Sequence, residues 1–140
     1  MDDSITRQYP GVKVNELAGI CQFIEQSASQ IGVPADDVTD LVVAVHEVVT
    51  NILVHGYEGR AGDITIDLVR KGHDLQIRLR DWAPPFDPTQ VPAPDITRPL
   101  EERPYGGLGV HMIRNLVDEW SYGTTNEGQN ELVLVKLNVV

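Results

Sequence analysis

The stretch that most constrains this chain is residues 38–55, V-T-D-L-V-V-A-V-H-E-V-V-T-N-I-L-V-H. At about 100° per residue, Val38, Leu41, Val42, Val45, Val49, Ile52 and Leu53 gather on one side of a helix. Glu47, Asn51 and His55 form a polar stripe roughly opposite, stepping about 40° apart. Such a helix has one face for a core and one for chemistry. Val43, Ala44 and Val54 flank the stripe where a surface helix would carry Lys and Glu, so the pattern predicts three polar side chains set in a semi-apolar cleft. A Glu, an Asn and a His on a helix also suit a plain solvated face, and the rest of the chain decides between the two.

With 140 residues the chain fits one domain, 1–140, large enough to bury about two thirds of its unfolded surface in a single core without a disulfide or a metal. A net charge of −10 and a pI near 4.6 argue against nucleic acid or an anionic membrane as partner, since both need a basic footprint. A protein partner or a small ligand is expected instead. Cys21 is the only cysteine and falls among Leu17, Ile20, Ile24 and Ala28, which reads as core and not as a reagent. The start M-D-D-S is acidic, unlike a secretory signal. The longest purely apolar runs are about five residues where a membrane span needs about 20. A cytoplasmic protein is expected.

Taken in order, residues 5–9 read as a short edge strand ended by Pro10-Gly11. Residues 15–31 show apolar side chains at 17, 20, 21, 24, 28 and 31, a first helix with Asn15 as N-cap and Gly32 as stop. Pro34 suits the first turn of the next helix, and Asp36 and Asp37 complement its dipole, so the central helix is expected over 35–55, closed by Gly56. Ile64, Ile66 and Leu68, then Leu75, Ile77 and Leu79, alternate with polar residues on either side of Lys71-Gly72-His73-Asp74, an antiparallel hairpin. Residues 84–104 carry seven of the nine prolines and little periodicity, a length that compact domains reserve for lids and binding segments. A third helix follows Gly106 to Gly109, with Val110, Ile113, Leu116, Val117 and Trp120 expected on its apolar face. Tyr122 marks a short strand and residues 132–139 a last one. Helices and strands that do not alternate as βαβ predict an α+β two-layer sandwich, one mixed or antiparallel sheet with three helices on one face.

Three segments are spaced as a nucleotide site needs. The oxygen of Asn51 can ligate a hard Mg²⁺ that keeps most of its waters, and Glu47 can accept a proton from an attacking hydroxyl. Asp81 ends a strand, where a carboxylate can accept the exocyclic amine of adenine or serve merely as a turn cap. G-G-L-G at 106–109 opens a helix, where small residues let backbone N–H groups approach phosphate oxygens and the dipole favours negative charge. Each segment alone is weak. Their order along one chain is not.

E-x-x-x-N-x-x-x-H-G-Y, then D-x-A-x-P-F-D-P, then G-G-L-G-V-H-M-I resembles the N, G1 and G2 boxes of the GHKL, or Bergerat-fold, ATPase and kinase superfamily. Within it, the H-G-Y, the P-F-D-P, the proline-rich lid over 84–105, the L-V-D-E-W-S-Y run and the terminal G-x-N-E-L-V-L-V-K look like the anti-sigma regulatory factors, small serine/threonine protein kinases of bacterial partner-switching systems. The resemblance covers about residues 10–138. It implies a mostly antiparallel sheet of about five strands, ATP and Mg²⁺ as cofactors, Glu47 as general base, and Asn51 as Mg²⁺ ligand. It also implies Asp81 as the adenine-reading carboxylate, with Ala83, Phe86 and Val110 beside the nucleotide, and Gly106, Gly107, Leu108 and Gly109 as the phosphate-facing turn. His55 matches an N-box position near the phosphates. Two positions depart from the pattern. Ala83 stands where the G1 box has its first glycine, where a methyl is expected to crowd the adenine pocket. Asn130 replaces a Thr near the base and can still donate and accept.

The leading expectation is therefore an ATP-dependent serine/threonine kinase, homodimeric as the resemblance implies, that phosphorylates a STAS-domain anti-sigma antagonist and otherwise sequesters a sigma factor. A nucleotide-binding regulatory module without significant kinase activity is a second reading, which Glu47 disfavours and Ala83 favours. The catalytic domain of a histidine kinase is a third. Against it, the four histidines, 46, 55, 73 and 111, all fall inside or beside the nucleotide segments, with no dimerisation helix pair to carry a phosphoacceptor.

Overall fold

The computed structural model describes residues 4–92 and 107–140. Strand β1 (Ser4–Val12) pairs with β2 (Gly62–Lys71), and β2 turns through Gly72-His73 into β3 (Asp74–Asp81). Strand β4 (Glu119–Thr124) takes the opposite edge beside β5 (Asn130–Lys136), giving the order β1-β2-β3-β5-β4. Among the described residues every neighbouring pair is antiparallel, so the sheet they form is antiparallel and not mixed. Period-2 alternation assigns the faces: Ile64, Ile66, Leu68, Leu75, Ile77, Leu79, Leu132 and Leu134 are all buried on one side. The other side carries Thr65, Gln76, Arg78 and Glu131, with a buried Asp67 paired to Arg80 at 2.6 Å.

Three helices close the core against the apolar face: α1 (Leu17–Ile31), α2 (Ala35–Thr50) and α3 (Gly107–Leu116). In α1, Ile20, Phe23, Ile24, Ala28 and Ile31 are buried, and Gly32 ends the helix in the left-handed region at φ 112°. In α2, Val38, Leu41, Ala44, Val45, Val48 and Val49 are buried, so Ala44 belongs to the core and not to the rim of the polar stripe. Lys136, at the end of β5, reaches Asp40 at 3.0 Å and Asp37 at 3.6 Å. This pins the first turns of α2 to the Leu75/Lys136 end of the sheet, so the helix finishes towards the Asp81/Asn130 end.

The structure corrects several boundaries. Strand β1 runs through Pro10-Gly11 to Val12 by way of a bulge, with Gly11 at φ 59° supplying the conformation that other residues resist. Asn15 is not an N-cap: a short 3₁₀ turn (Val14–Glu16) precedes α1. Trp120 lies on β4, opposite Leu134, because α3 ends at Leu116. The last strand is Asn130–Lys136, and Val139 is buried beyond it. Of the expected lid, residues 84–92 are ordered around a 3₁₀ turn (Pro88–Gln90), and its remainder lies outside the described residues.

The central helix departs from expectation in kind. After Thr50 it widens into a π turn (Asn51–Gly56), with Tyr57 N–H donating to Ile52 O at 2.8 Å. The continuous run Ala35–Gly56 holds an 18-residue window of mean hydropathy 1.4, long and apolar enough by length and composition to cross a membrane. Its apolar side is the side that builds this core.

Tyr57, just past the π turn, locks the helix end to the sheet. Its hydroxyl donates to Asp63 O at 2.7 Å and accepts from Trp82 N–H at 2.8 Å, while its ring covers Gly62 so closely that a Cβ there would overlap it. The ring cannot swing aside without breaking both bonds. Gly62→Ala is therefore expected to destabilise the fold by about 1–3 kcal/mol, read as a lower urea midpoint; an unchanged midpoint would show that the ring yields freely.

Candidate functional site

One cavity of about 260 Å³ opens where α2, the π turn, the ends of β3 and β5, and α3 meet. Asn51 and His55 face it from the π turn, and Val48 and Ile52 add apolar surface between them. Asp81, Ala83 and Phe86 face it from the end of β3 and the loop after it, Val110 from α3 and Asn130 from β5. Seven of the residues expected from the motifs thus line one space, apolar over most of its surface with a few convergent polar groups, as small-molecule sites are.

The polar end is built by strand register. Asp81 and Asn130 are directly opposite on β3 and β5, both buried, at 5% and 8% exposure. Asn130 Nδ2 donates to Asp81 Oδ1 at 2.9 Å and to Ala83 O at 2.8 Å, and Ala83 N–H donates to the same Asp81 Oδ1 at 2.9 Å. Tyr122 on β4 donates its hydroxyl to Asn130 Oδ1 at 2.5 Å, which turns the amide nitrogen towards the carboxylate. Burial raises the Asp81 pKa, and the bonds from Asn130 and Ala83 oppose that shift by favouring the ionised form. The phenols of Tyr57 and Tyr122 are raised by burial, so both stay protonated donors. His55 is lowered by burial, which favours its neutral ring.

Glu47 stands apart from the cavity lining, one helical turn before Asn51. Its side chain is 25% exposed, with Oε1 3.7 Å from His46 Nδ1. A Cβ built on Gly109 would lie 2.7 Å from Glu47 Oε2, so the first turn of α3 approaches this carboxylate as closely as a glycine permits. The glycine thereby serves the α2–α3 approach as well as any ligand. Gly107 and Leu108 form the start of that turn, and Gly106 lies outside the described residues.

Ala83 packs against the end of the π turn. Its methyl lies where a Cβ on Gly56 would come within 2.8 Å, so the G1 alanine is accommodated by the glycine that ends the π turn. The side chain is 9% exposed while still lining the cavity.

Tyr122 lines the cavity and Tyr57 holds the backbone of Trp82 beside Asp81, and sequence reasoning singled out neither as a site residue. Tyr57 lay in the quoted H-G-Y motif and Tyr122 at the end of the quoted L-V-D-E-W-S-Y run, but only the pairing of β4 with β5 brings Tyr122 to Asn130.

Comparison with known proteins agrees with this geometry. Serine-protein kinase RsbW of Bacillus cereus is 34% identical over 96 residues, 66% of this chain and 60% of RsbW, and RsbW of Bacillus anthracis is 33% identical over the same shares. The match spans 60% of the length of these relatives. Among solved structures, the RsbU and RsbW domains of a Mycobacterium tuberculosis protein superpose with a TM-score of 0.66 at 17% identity, covering 96% of this chain and 32% of that one. The SiaB-SiaC complex from Pseudomonas aeruginosa superposes with a TM-score of 0.65 at 12% identity, covering 94% of this chain and 88% of that one. At such identities these likenesses speak to the fold alone. Residues 12–136 match the family described as the histidine kinase-like ATPase domain. A match that opens on the last residue of β1 and closes on the last residue of β5 takes in every element that builds the cavity, and the chain belongs to that family.

Proposed function

We propose that the protein is an ATP-dependent serine/threonine kinase and anti-sigma factor of a bacterial partner-switching system, acting in the cytoplasm. The observation that carries the reading is the buried Asp81–Asn130 pair at the end of an apolar cavity, with Glu47 held beside the start of α3. With Oδ1 of Asp81 engaged by two donors, Oδ2 is the oxygen that accepts the exocyclic amine of adenine. Val48, Ile52, Val110 and Leu132 supply the apolar surface that covers the base.

The donor chemistry suits Mg²⁺ carried in with a nucleotide. Asn51 lines the cavity and carries a hard amide oxygen, and no group of three or more His, Cys, Asp or Glu among the described residues could hold a metal unaided. A bound Mg²⁺ would neutralise phosphate charge. The backbone of Gly107 and Gly109, at the positive end of α3, favours the same anionic groups. Glu47 takes the proton from a Ser or Thr hydroxyl of the partner as that oxygen bonds to the γ-phosphorus; the β–γ bridging P–O bond breaks and ADP leaves.

The RsbW relatives are named serine-protein kinases, which supports transfer to a protein serine; the resemblance of the motifs to anti-sigma regulatory factors adds a STAS-domain anti-sigma antagonist as phosphoacceptor, a sigma factor as the alternative partner and a homodimer. Acidic character favours inhibition by covering the sigma factor's own surface over competition for DNA. If ATP favours the sigma complex about tenfold over ADP, the difference is about 1.4 kcal/mol. The test mixes the protein with the STAS protein of the same genome, ATP and Mg²⁺, and reads the mass of the partner. One added phosphate on a Ser or Thr is expected. A tight complex without phosphate would support the regulatory-module reading instead.

A further inference from the structure

Arg114 lies in the last turn of α3, where a cation complements the helix dipole, but its contacts lie outside that helix. Its Nη2 donates to Val91 O at 2.9 Å and more loosely to Thr89 O at 3.5 Å, and its Cζ sits 5.6 Å from the centre of the Trp120 ring on β4. Those two carbonyls belong to the 3₁₀ turn after Asp87. Asp87 Oδ1 caps that turn, accepting from Thr89 N–H at 2.9 Å and Thr89 Oγ1 at 2.6 Å. The turn matters because Phe86 and the buried Pro88 line the cavity, to which α3 contributes Val110 and Ile113. One guanidinium therefore joins two walls of the same space.

We infer that Arg114 is a positioning residue for the base-binding side of the cavity, holding the turn at 88–91 against α3 and so setting the spacing between the surfaces that grip an adenine ring. The inference rests on the nucleotide reading above. Arginine suits the role because Nη2 alone carries two N–H donors for the two carbonyls while the guanidinium carbon lies over an indole ring, which a lysine ammonium does not reproduce. Arg114 itself is not among the residues lining the cavity, so its effect on a ligand passes through Phe86, Pro88, Val110 and Ile113.

The test is Arg114→Met, which keeps an unbranched apolar stem and removes the donors, with Arg114→Lys beside it. Calorimetry with AMP, ADP and ATP is run at a temperature where thermal melts show both variants folded. Arg114→Met is expected to weaken all three nucleotides by a common factor of about ten, and Arg114→Lys by less, because the disturbed walls meet the base that the three ligands share. In the free protein, the amides of Thr89, Gln90 and Val91 should exchange faster in Arg114→Met than in the wild type. A loss that grows from AMP to ATP would place the defect at the phosphate-facing start of α3 and overturn the inference, as would unchanged affinity. Wild-type protein that binds none of the three would refute the nucleotide reading. The exchange comparison needs no ligand, and unchanged protection there would overturn the role of Arg114 on its own.

Discussion

Glu47→Gln is expected to slow phosphotransfer to a protein hydroxyl by about 10²–10⁴-fold while ATP affinity stays within about twofold of the wild type. The substitution keeps the shape of the side chain and removes its capacity to take a proton. Affinity should be spared because Glu47 is not among the residues lining the cavity. Packing should be spared as well, since Gln fits the same space beside Gly109, where the nearest approach is to Oε2. Single-turnover transfer to the proposed STAS partner gives the rate, and calorimetry gives the affinity. Turnover that survives intact would mean that positioning alone drives the step, which the loose transition states of phosphoryl transfer allow.

Asp81→Ala is expected to weaken ATP and ADP alike by about 10- to 100-fold, the equivalent of one charge-assisted hydrogen bond. The wild type should bind ATP at least about tenfold tighter than GTP, because guanine presents an oxygen to the carboxylate where adenine presents an amine. Equal affinity for the two in wild-type protein would remove Asp81 from the role. Asp81→Ala also strips the acceptor from Ala83 N–H and one acceptor from Asn130 Nδ2, so a urea titration of the free variant should accompany the binding data. The pH dependence has a defined sign. Burial raises the folded-state pKa of Asp81, so the native protein takes up a proton at a pH where an unfolded aspartate would still be ionised. Above that window the ionised carboxylate disfavours the free fold and is the form proposed to accept the adenine amine. Nucleotide affinity should therefore fall on acidification from a higher pH than an ordinary aspartate would give, and Asp81→Ala should flatten that profile.

Much of the site was legible because its signals are local. Glu47, Asn51 and His55 lie within nine consecutive residues, and their spacing alone places them on one side of a helix. The hairpin was legible for the same reason: residues 64–68 and 75–79 alternate cleanly around a short polar turn, and the observed register pairs Ile66 with Leu79 and Leu68 with Ile77. Trp120 misled because a helical period carried past Leu116 places it beside Ile113 and Val117, while the chain had already turned into β4. Composition cannot reveal that change of period, since Trp and Leu suit both elements. The bulge at Pro10-Gly11 was missed for a related reason: a Pro-Gly pair reads as a stop, but an edge strand can absorb it when Gly11 adopts positive φ.

The sequence by itself determined the periodic elements, the single core and the order of the three nucleotide-site segments, because these depend on residue type and short-range spacing. Tertiary structure alone decided which groups meet. The register of β3 on β5 puts Asn130 against Asp81, 49 residues apart, and β4 adds the hydroxyl of Tyr122 to the same network. The widened turn at Asn51–Gly56 brings Gly56 against Ala83, a contact between two motif segments that neither segment specifies by itself. Arg114 likewise shows no special spacing, and its two carbonyl partners are 23 and 25 residues upstream. Contacts of that kind arise from strand pairing and chain reversal, whose free energy is shared across the whole core, so no local window of sequence contains them.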